Sequence, residues 1–569
     1  MEKLSPVYTL NNECQDCYKC VRRCPVKAIR IQDGHACVIG QRCIACGKCV
    51  APCPSGAKRV RNDVVRVKEM INSGKKVYVS LAPSWRASFN CTLEQLVATF
   101  QKLGFKGVSE TALGAEQVSI KTAEILNKAE KGLFISSACP VIVDYIHLYK
   151  PDMVKYIVPL ASPAQTHAKL LKEKLGDEIS VVFVGPCIAK KNESDSNPDL
   201  IASALTFEEL KIWLKEDDVK IEEKYSDEST FVPNIAHEGS LYPLDGGMNR
   251  TIELVGVKKD VQLTQVSSLH LFFKTLDAVD VDYLTKPLFI EALACAGGCI
   301  NGPCVATNEA HLNNVSTILS NVNYRNDVPQ KADVVVEKQF AREAVKRNDW
   351  TLDEIKEALK RIGKYTTEDE INCAGCGYQT CRDLAKALLQ GDAEPSMCVS
   401  YMRQLATKKA AAMLKSMPSA MFVLDKEFKI LETNEAFIKE FTGEMKNEFL
   451  ANPSLLRNIN VQNFVPWQDI FKTVLATNQE VHKEHYHFND KVYDVHVFCI
   501  EAGESLGAIV NNVTLSMNGH EYVAKQAREV INKNIATVQQ IACLLGEHMV
   551  ETEALLSAIA EDYKNEGGE

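Results

Sequence analysis

The chain lacks a hydrophobic run long enough to cross a membrane, an apolar segment at its start and an excess of positive charge. No apolar run approaches the roughly 18 residues that a membrane-spanning helix needs. The opening residues, MEKLSPVYTL, contain no apolar core of a signal peptide, so we expect no export. The net charge is −9, which gives no indication of a nucleic-acid partner. We therefore expect a protein that binds neither membrane nor nucleic acid.

Cysteine, in contrast, is abundant, with 21 residues in a chain of 569. A chain of this length exceeds one hydrophobic core, and about three to five domains are expected. Cysteines at short, regular spacings without an export signal indicate metal ligands in a reducing compartment rather than disulfides. The expected location is therefore the cytoplasm, and air-sensitive clusters would suit an anaerobe.

Eight cysteines form two consecutive runs near the N-terminus, each spaced C-x2-C-x2-C-x3-C and followed by a proline, Pro25 or Pro54. This is the ligand spacing of bacterial two-cluster ferredoxins, in which the fourth cysteine of each run ligates the other cluster. Residues 1–60 are therefore predicted to be a ferredoxin-like α+β domain, and zinc or free thiols are the disfavoured alternative. The predicted [4Fe–4S] ligands are Cys14, Cys17, Cys20 and Cys53 for one cluster, and Cys43, Cys46, Cys49 and Cys24 for the other.

The rest of the chain divides into four further predicted domains. Residues 76–350 alternate strand-like and helical apolar patterns, which is typical of an α/β domain with a largely parallel sheet. Residues 351–405 are predicted to be small and helical. Residues 410–516 read as strand, turn, strand and helix, followed by antiparallel strands with a hairpin turn at Asn489-Asp490. Residues 517–569 are predicted to be an output helix or coiled coil.

The C-terminal segment repeats apolar residues with a 4-3 spacing over four heptads. Two alternatives stay open for this stripe: a parallel homodimer, or packing on the preceding sheet. Alanine and threonine at two of its positions weaken the dimer prediction. The stripe comprises Ile531, Ile535, Val538, Ala542, Leu545, Met549, Thr552, Leu556 and Ile559.

A second cysteine group lies in residues 351–405, with the spacing C-x2-C-x4-C-x16-C. It predicts a third [4Fe–4S] cluster, and zinc is the alternative that the long last gap leaves open. The predicted ligands are Cys373, Cys376, Cys381 and Cys398.

Three further cysteine motifs lie far apart in the α/β region: SSACP with Cys139, GPCIAKK with Cys187, and ACAGGCING with Cys295 and Cys299. Each follows a strand-like run, and α/β folds place their sites at the carboxyl ends of strands. Spacing alone does not show that the three motifs meet. In order and in register, however, they resemble the three signature motifs of the [FeFe]-hydrogenases, and with the ferredoxin runs the resemblance covers about residues 1–320.

The resemblance implies an H-cluster, which is a [4Fe–4S] cluster joined to a di-iron subcluster with CO, cyanide and dithiolate ligands. Hydrogen and protons would be the substrates. By this resemblance Cys299 bridges the two parts, Lys190 hydrogen-bonds an iron-bound cyanide, and Pro186 contacts the cofactor. A [4Fe–4S] cluster without the di-iron part, as in some hydrogenase-like assembly proteins, is the alternative. The cluster ligands implied are Cys139, Cys187, Cys295 and Cys299.

The chain also departs from the family pattern. Ala138 stands where catalytic members have a cysteine that carries protons, and Thr122 and Ile125 stand where acidic residues continue that relay. Gly185 and Leu293 replace two methionines of the pocket. Since losing one positioned acid or base costs roughly 10²–10⁴-fold in rate, we expect an intact cofactor with slow turnover, as in the sensory members of the family.

The C-terminal half fits a sensor. The Cys373–Cys398 group resembles the iron–sulfur module of corrinoid iron–sulfur proteins, and residues 410–516 resemble a PAS domain through MPSAMFVLD and the NEAF segment at 434–437. By analogy, the signalling partner would be a kinase or a serine/threonine phosphatase, and a ferredoxin-like protein could exchange electrons. The alternatives are a metabolic, ferredoxin-linked hydrogenase with another proton route, and a non-catalytic iron–sulfur electron-transfer protein.

Two smaller features remain open. Cys304 lies close enough to Cys299 in sequence to replace the missing proton carrier, with a packing role as the alternative. His482, His485 and His487 fall on one predicted strand, with the last two on the same face. Metal or haem binding is one interpretation of these histidines, and a solvated strand edge is the other.

Overall fold

A computed structural model describes residues 5–221, 230–305, 311–334, 337–346, 348–514, 528–542, 552–553 and 555–557. The chain divides into two compact units, Met1–Glu394 and Pro395–Glu569. Among the described residues, no helix combines the length and the apolar character needed to cross a membrane.

The first unit begins with a small ferredoxin-like module built from two antiparallel ribbons. Strand Val7–Thr9 pairs with Lys58–Val60, and Ile29–Gln32 pairs with His35–Val38. The helix Lys19–Arg23 separates the first ribbon strand from the second pair. Seven of the eight cysteines lie outside the strands and α-helices of this module, and Cys20 lies in helix Lys19–Arg23.

The centre of the first unit contains two parallel sheets, which confirms the predicted α/β class for this region. The four-stranded sheet has the order Gly107–Glu110, Val77–Leu81, Ser180–Gly185 and Ser203–Thr206. The three-stranded sheet has the order Gln262–Ser267, Pro287–Leu293 and Gly132–Ile135. Parallel strands need crossover connections, and helices supply them here. The helices are Val64–Asn72, Leu93–Lys102, Ala112–Lys128, Pro140–Tyr149, Pro163–Leu175, Lys190–Ser196, Phe207–Glu216, Gly247–Val255, Leu269–Ala278 and His311–Ser320.

Buried polar contacts fix helix Pro163–Leu175 against the four-stranded sheet. The His167 ring is fully buried, with Nδ1 2.8 Å from Ser80 Oγ and Nε2 2.8 Å from Ser109 Oγ. Burial lowers the pKa of His167 to about 3, so the ring is neutral and each nitrogen is satisfied by one hydroxyl. The helix starts at a capping serine, Ser162, whose Oγ accepts from Gln165 N.

The first unit ends with a small helical segment, in which Leu352–Lys360 packs against Cys381–Gln390. Both helices begin with a capping box, at Thr351 and Thr380. The second helix stops at Gly391, which has the left-handed conformation typical of a helix C-terminus.

The second unit starts with helix Val399–Ser416 and contains a five-stranded antiparallel sheet. The strand order is Ile430–Thr433, Ala420–Asp425, Ser505–Asn512, Lys491–Glu501 and Val481–Phe488. Helices Glu435–Phe441, Lys446–Ala451 and Gln468–Thr477 accompany the sheet. Its core is aromatic, with the Phe422 ring in contact with those of Phe437 and Phe471.

The predicted hairpin is present, since Asn489 and Asp490 both have positive φ and connect Phe488 to its partner Lys491. The histidine strand is less regular than predicted. The register shifts between Lys483 and Tyr486, and His485 has a φ of 57°. The simple alternation that would place His485 and His487 on one face is therefore interrupted by a bulge.

Residues 528–542 are helical, as predicted. Val538 is buried against Met417, Met421 and Ile509, so this part of the heptad stripe packs within the second unit. Leu545, Met549 and Ile559 of the predicted stripe lie outside the described residues. The homodimer stays a prediction.

Candidate active site

The three predicted motifs come together although they are far apart in sequence. Cys139, Cys187 and Cys295 each follow a parallel strand directly, at its carboxyl end. These three thiols and that of Cys299 line one cavity. Because the strands belong to both sheets, the cavity lies where the carboxyl ends of the two sheets meet.

The four thiols are partly accessible because they face the cavity, but they lie deep inside the protein. Burial, together with the neighbouring Cys139 thiol, raises the pKa of Cys187 to about 12. Burial also raises the pKa of Cys139, Cys295 and Cys299. When ionised, these four buried thiols repel one another, so free thiolates are unfavourable here. Iron that binds the thiolates offsets this repulsion. The donor set therefore fits an iron–sulfur cluster.

Lys190 supplies the positive charge of the cavity wall. It is 8% exposed, and its Nζ donates to Ser162 Oγ at 3.1 Å and pairs with Glu193. Its charge opposes the rise in pKa of Cys139 and Cys187. A buried ammonium with one anionic partner can donate a further hydrogen bond to an anionic ligand in the cavity. Pro186 also lines the cavity.

The positions that depart from the family pattern carry no titratable group into the cavity. Ala138 lines the wall. Thr122 is fully buried and donates its hydroxyl to Val118 O at 2.7 Å, whereas Glu124 is exposed and pairs with Lys121 and Lys128.

The space beside Gly185 is occupied by a different side chain. A Cβ at Gly185 would come within 2.6 Å of the Phe183 ring, and Phe183 lines the cavity. Leu293 lines it too, and so does Met248, which the motifs did not identify. An aromatic ring, a leucine and a methionine from another segment thus form part of the apolar cavity wall.

Glu291 is the functional candidate that sequence reasoning missed. Its side chain lines the cavity, is 1% exposed and accepts a hydrogen bond from Asn249 N at 2.8 Å through Oε2. Its Oε1 has no hydrogen-bond partner among the described residues. Burial raises the pKa of Glu291 to about 7. A sequence signal existed, since this glutamate interrupts the apolar run LFIEALA of a predicted buried strand.

Cys304 does not line the cavity as described. It is 1% exposed, and burial raises the pKa of its thiol. These features favour the packing role over the proton carrier.

The ferredoxin-like cysteines fall into the two predicted groups. Charges on Cys14, Cys17 and Cys53 contribute to raising the pKa of Cys20, to about 11, after burial as the main cause. Charges on Cys43, Cys24 and Cys46 likewise add to the effect of burial on Cys49. Cys53 of the second run therefore lies near cysteines of the first run, and Cys24 of the first run lies near cysteines of the second. Their role as ligands stays a prediction. Cys14 also lies beside Asp16 and His35, within 4.8 Å between possible ligand atoms.

The second ferredoxin group borders the active-site cavity. Cys46 lines the cavity together with the four signature cysteines, and its charge contributes to raising the pKa of Cys295. Gly47 makes this approach feasible, because its φ is 76° and a Cβ would lie 2.7 Å from Ile188 Cδ1 and 2.8 Å from Pro303 Cβ.

Three of the four cysteines in the third group belong to one unit. Cys373, Cys376 and Cys381 belong to the first unit. Cys373 and Cys376 lie in a tight loop where Asn372 and Ala374 have positive φ, and Cys381 begins helix Cys381–Gln390. Cys398 belongs to the second unit, where its Sγ lies 3.4 Å from Ser400 Oγ. Their common cluster stays a prediction, with zinc as the alternative.

Comparison with known families identifies three domains. Residues 75–303 match the model "Iron only hydrogenase large subunit, C-terminal domain". Residues 6–54 match the model "4Fe-4S dicluster domain", and residues 369–400 match the model of a family of iron–sulfur cluster domains. The chain thus contains a hydrogenase large-subunit domain and a dicluster domain.

Individual relatives are distant. Iron hydrogenase 1 of Clostridium pasteurianum is 25% identical over 329 residues, which cover 46% of this chain and 56% of that protein. A variant of the [FeFe]-hydrogenase HydA1 from Chlamydomonas reinhardtii is 16% identical, with a TM-score of 0.39, and covers 50% of this chain and 100% of that one. The PAS domain of an HTR-like protein from Haloarcula marismortui is 19% identical, with a TM-score of 0.16, and covers 20% of this chain and 96% of that one.

Proposed function

We propose that this chain is an [FeFe]-hydrogenase-type hydrogen sensor, which oxidises H2 and reduces protons slowly and reversibly. The observation that carries the proposal is the meeting of four thiols from three separate motifs in one cavity, beside a buried lysine. The family models of residues 75–303 and 6–54 support hydrogenase chemistry and an attached electron-transfer domain.

The residues of the cavity divide the work of holding an H-cluster. Cys139, Cys187, Cys295 and Cys299 would ligate it, with Cys299 shared between its two parts. Lys190 would donate a hydrogen bond to an anionic cyanide ligand, and Pro186 would pack beside it. When bound, the cofactor supplies heterolytic cleavage of H2 at an open iron, and the protein supplies ligation, hydrogen bonds and exclusion of water.

Proton handling explains the low activity that we expect. The methyl group of Ala138 cannot transfer a proton, and the Thr122 hydroxyl already donates its hydrogen bond to the carbonyl of Val118. Glu291 is the acidic side chain in the wall, and with a pKa near 7 it holds a proton part of the time near neutrality. A route through this single buried carboxyl is slower than a complete relay of acids.

Electrons and the signal would leave through the added domains. Because Cys46 lines the cavity, the predicted second ferredoxin cluster would lie beside it, and a ferredoxin-like protein would exchange electrons with the first. We propose that residues 410–516 are a PAS domain, supported by the antiparallel five-stranded sheet and aromatic core of the second unit. A kinase or serine/threonine phosphatase would read its state, and the C-terminal segment would mediate output or homodimerisation. The clusters suit a reducing cytoplasm.

A metabolic hydrogenase is the second candidate, and Glu291 is the observation that favours it. An acid with a free oxygen in the cavity wall offers another proton route, so fast turnover would identify a catalyst rather than a sensor. A non-catalytic iron–sulfur protein without the di-iron part is the third.

Infrared spectroscopy of anaerobically purified, fully matured protein tests the proposal. Bands of iron-bound CO and cyanide that shift when argon is replaced by hydrogen would establish a working H-cluster. Absence of these bands after maturation would leave a non-catalytic iron–sulfur relay. Turnover rates would then separate the sensor from the metabolic enzyme.

A further inference from the structure

The small helical segment docks on the ferredoxin-like module through Asp392. Its carboxylate accepts two hydrogen bonds from the Arg42 guanidinium, at 2.6 and 2.7 Å, and its backbone carbonyl accepts one from Ile31 N at 2.9 Å. The Asp392 side chain is 5% exposed. A buried bidentate pair fixes orientation as well as contact, so the segment is held in one pose.

A second contact lies beside Cys376. A Cβ on Gly377, whose φ is 90°, would lie 3.1 Å from Arg22 N, so the loop presses closely on the short helix that ends at Cys24. The Arg22 guanidinium donates to the carbonyl of Gly375 at 3.2 Å. The loop that carries Cys376 therefore packs on helix Lys19–Arg23, which directly precedes Cys24.

Two side chains lie near both cysteines. Burial lowers the pKa of Lys27, and charges on Cys24 and Cys376 oppose this effect. Burial raises the pKa of the Tyr378 phenol, and charges on Asp392, Cys376 and Cys24 raise it further. Tyr378 is 6% exposed, so its ring is shielded from solvent.

The same ferredoxin group faces the cavity on its other side. Cys46 lines the cavity, and Arg42 directly precedes Cys43. The carbonyl of Arg42 accepts a hydrogen bond from Tyr149 Oη at 2.6 Å, at the end of the helix that begins after Cys139. Arg42 thus touches both the active-site domain and the small helical segment.

We propose that the cluster predicted on Cys24, Cys43, Cys46 and Cys49 is a branch point, which exchanges electrons with the active site on one side and with the Cys376 cluster on the other. The inference rests on the proposed function, because oxidation of one H2 to two protons supplies the two electrons. Each transfer moves one electron: a reduced [4Fe–4S]⁺ returns to the 2+ state as its oxidised neighbour becomes 1+. Arg42 and Asp392 are positioning residues, since they hold the two modules together.

The experiment uses the full chain reconstituted with iron and sulfide but without di-iron maturation, so it is independent of hydrogenase activity. Every sample also carries Cys187→Ala, which removes the active-site cluster, so that only the two ferredoxin clusters and the third cluster remain. All clusters are reduced with dithionite, and electron paramagnetic resonance records the magnetic interaction between them. Cys17→Ala removes the first ferredoxin cluster, and adding Cys376→Ala also removes the third. Asp392→Asn weakens docking with little change in shape. Arg59→Ala breaks an exposed ion pair of the same module and is the matched control.

We expect a spin interaction in Cys17→Ala that disappears on adding Cys376→Ala, and that decreases on adding Asp392→Asn at unchanged iron content. Adding Arg59→Ala should leave it unchanged. Two non-interacting signals in Cys17→Ala, or an interaction lost with the first cluster alone, would overturn the branch point. Either result would leave the infrared test of the cavity unaffected, so the two proposals fail separately.

Discussion

Replacing Glu291 by glutamine is expected to lower the rate of H2 evolution by roughly 10²-fold or more, the usual effect of removing one positioned acid. Glutamine keeps the shape of the side chain and can still accept from Asn249 N, but it cannot release a proton. Ala138 offers no substitute in the cavity wall. The infrared bands of the matured protein should be unchanged, because none of the four cysteines is altered.

The pH dependence follows from the pKa near 7. Below that pH Glu291 is mostly protonated and can donate, so H2 evolution should rise as the pH falls through about 7. Above it the carboxylate can accept, so H2 oxidation should rise with pH. Both pH dependences, of H2 evolution and of H2 oxidation, should be absent in Glu291→Gln. They should persist in Glu124→Gln, which alters an exposed acid near the family's relay position. Wild-type rates and pH profiles in Glu291→Gln would refute the role.

Stability of the cofactor-free protein gives an independent measure. The pKa rises from 4.5 to about 7 on folding. At about 1.36 kcal/mol per pKa unit, keeping this carboxylate ionised inside the fold costs roughly 3 kcal/mol. Because folding raises the pKa of this carboxyl, its protonated form contributes fully to the stability of the fold below pH 4.5. This contribution is lost as the pH rises through about 7. Glu291→Gln should therefore gain stability above neutrality and nothing in acid, as measured by denaturant unfolding.

Three further changes test other parts of the molecule. Ala138→Cys should raise turnover by roughly 10²-fold by restoring a proton carrier, and an unchanged rate in protein with normal infrared bands would contradict this. Lys190→Met should lower the intensity of the CO and cyanide bands by roughly tenfold, whereas Lys128→Met, whose ammonium is 75% exposed, should not. Phe422→Ala should cost the second unit about 3–5 kcal/mol of unfolding free energy, because Phe422 is fully buried. Ile500→Ala, at 44% exposure, should stay within about 0.5 kcal/mol, and equal losses would contradict the described core.

Local patterns were enough to predict the α/β class, the Asn489-Asp490 turn and the cysteines that follow strands. Each of these depends on residues that are neighbours in sequence, and strand and turn chemistry acts at that range. The meeting of Cys139 with Cys187 was not predictable from spacing, because the two follow strands of different sheets. Here the family resemblance supplied what local reasoning lacked.

Contacts between distant residues were also beyond the sequence. Met248 lines the cavity from helix Gly247–Val255, outside the three cysteine motifs. Asp392 reads as an ordinary polar residue after a helix, yet it is the buried partner of Arg42, 350 residues away in sequence. Such pairs depend on packing between modules, which no window along the chain contains.

The electrostatics of the cavity favour a metal bound by thiolates on physical grounds that do not depend on family resemblance. Burial raises the pKa of the four signature thiols and of Glu291, so the folded cofactor-free domain holds protons that the unfolded chain releases more easily. Its stability must therefore decline as the pH rises through the alkaline range. Ligation replaces the thiol protons by iron and removes the part of the decline that is due to the thiols. Glu291 is not a predicted ligand, so its contribution to the decline remains. Cluster loading should thus flatten the alkaline limb of the stability curve but leave the step near pH 7 in place.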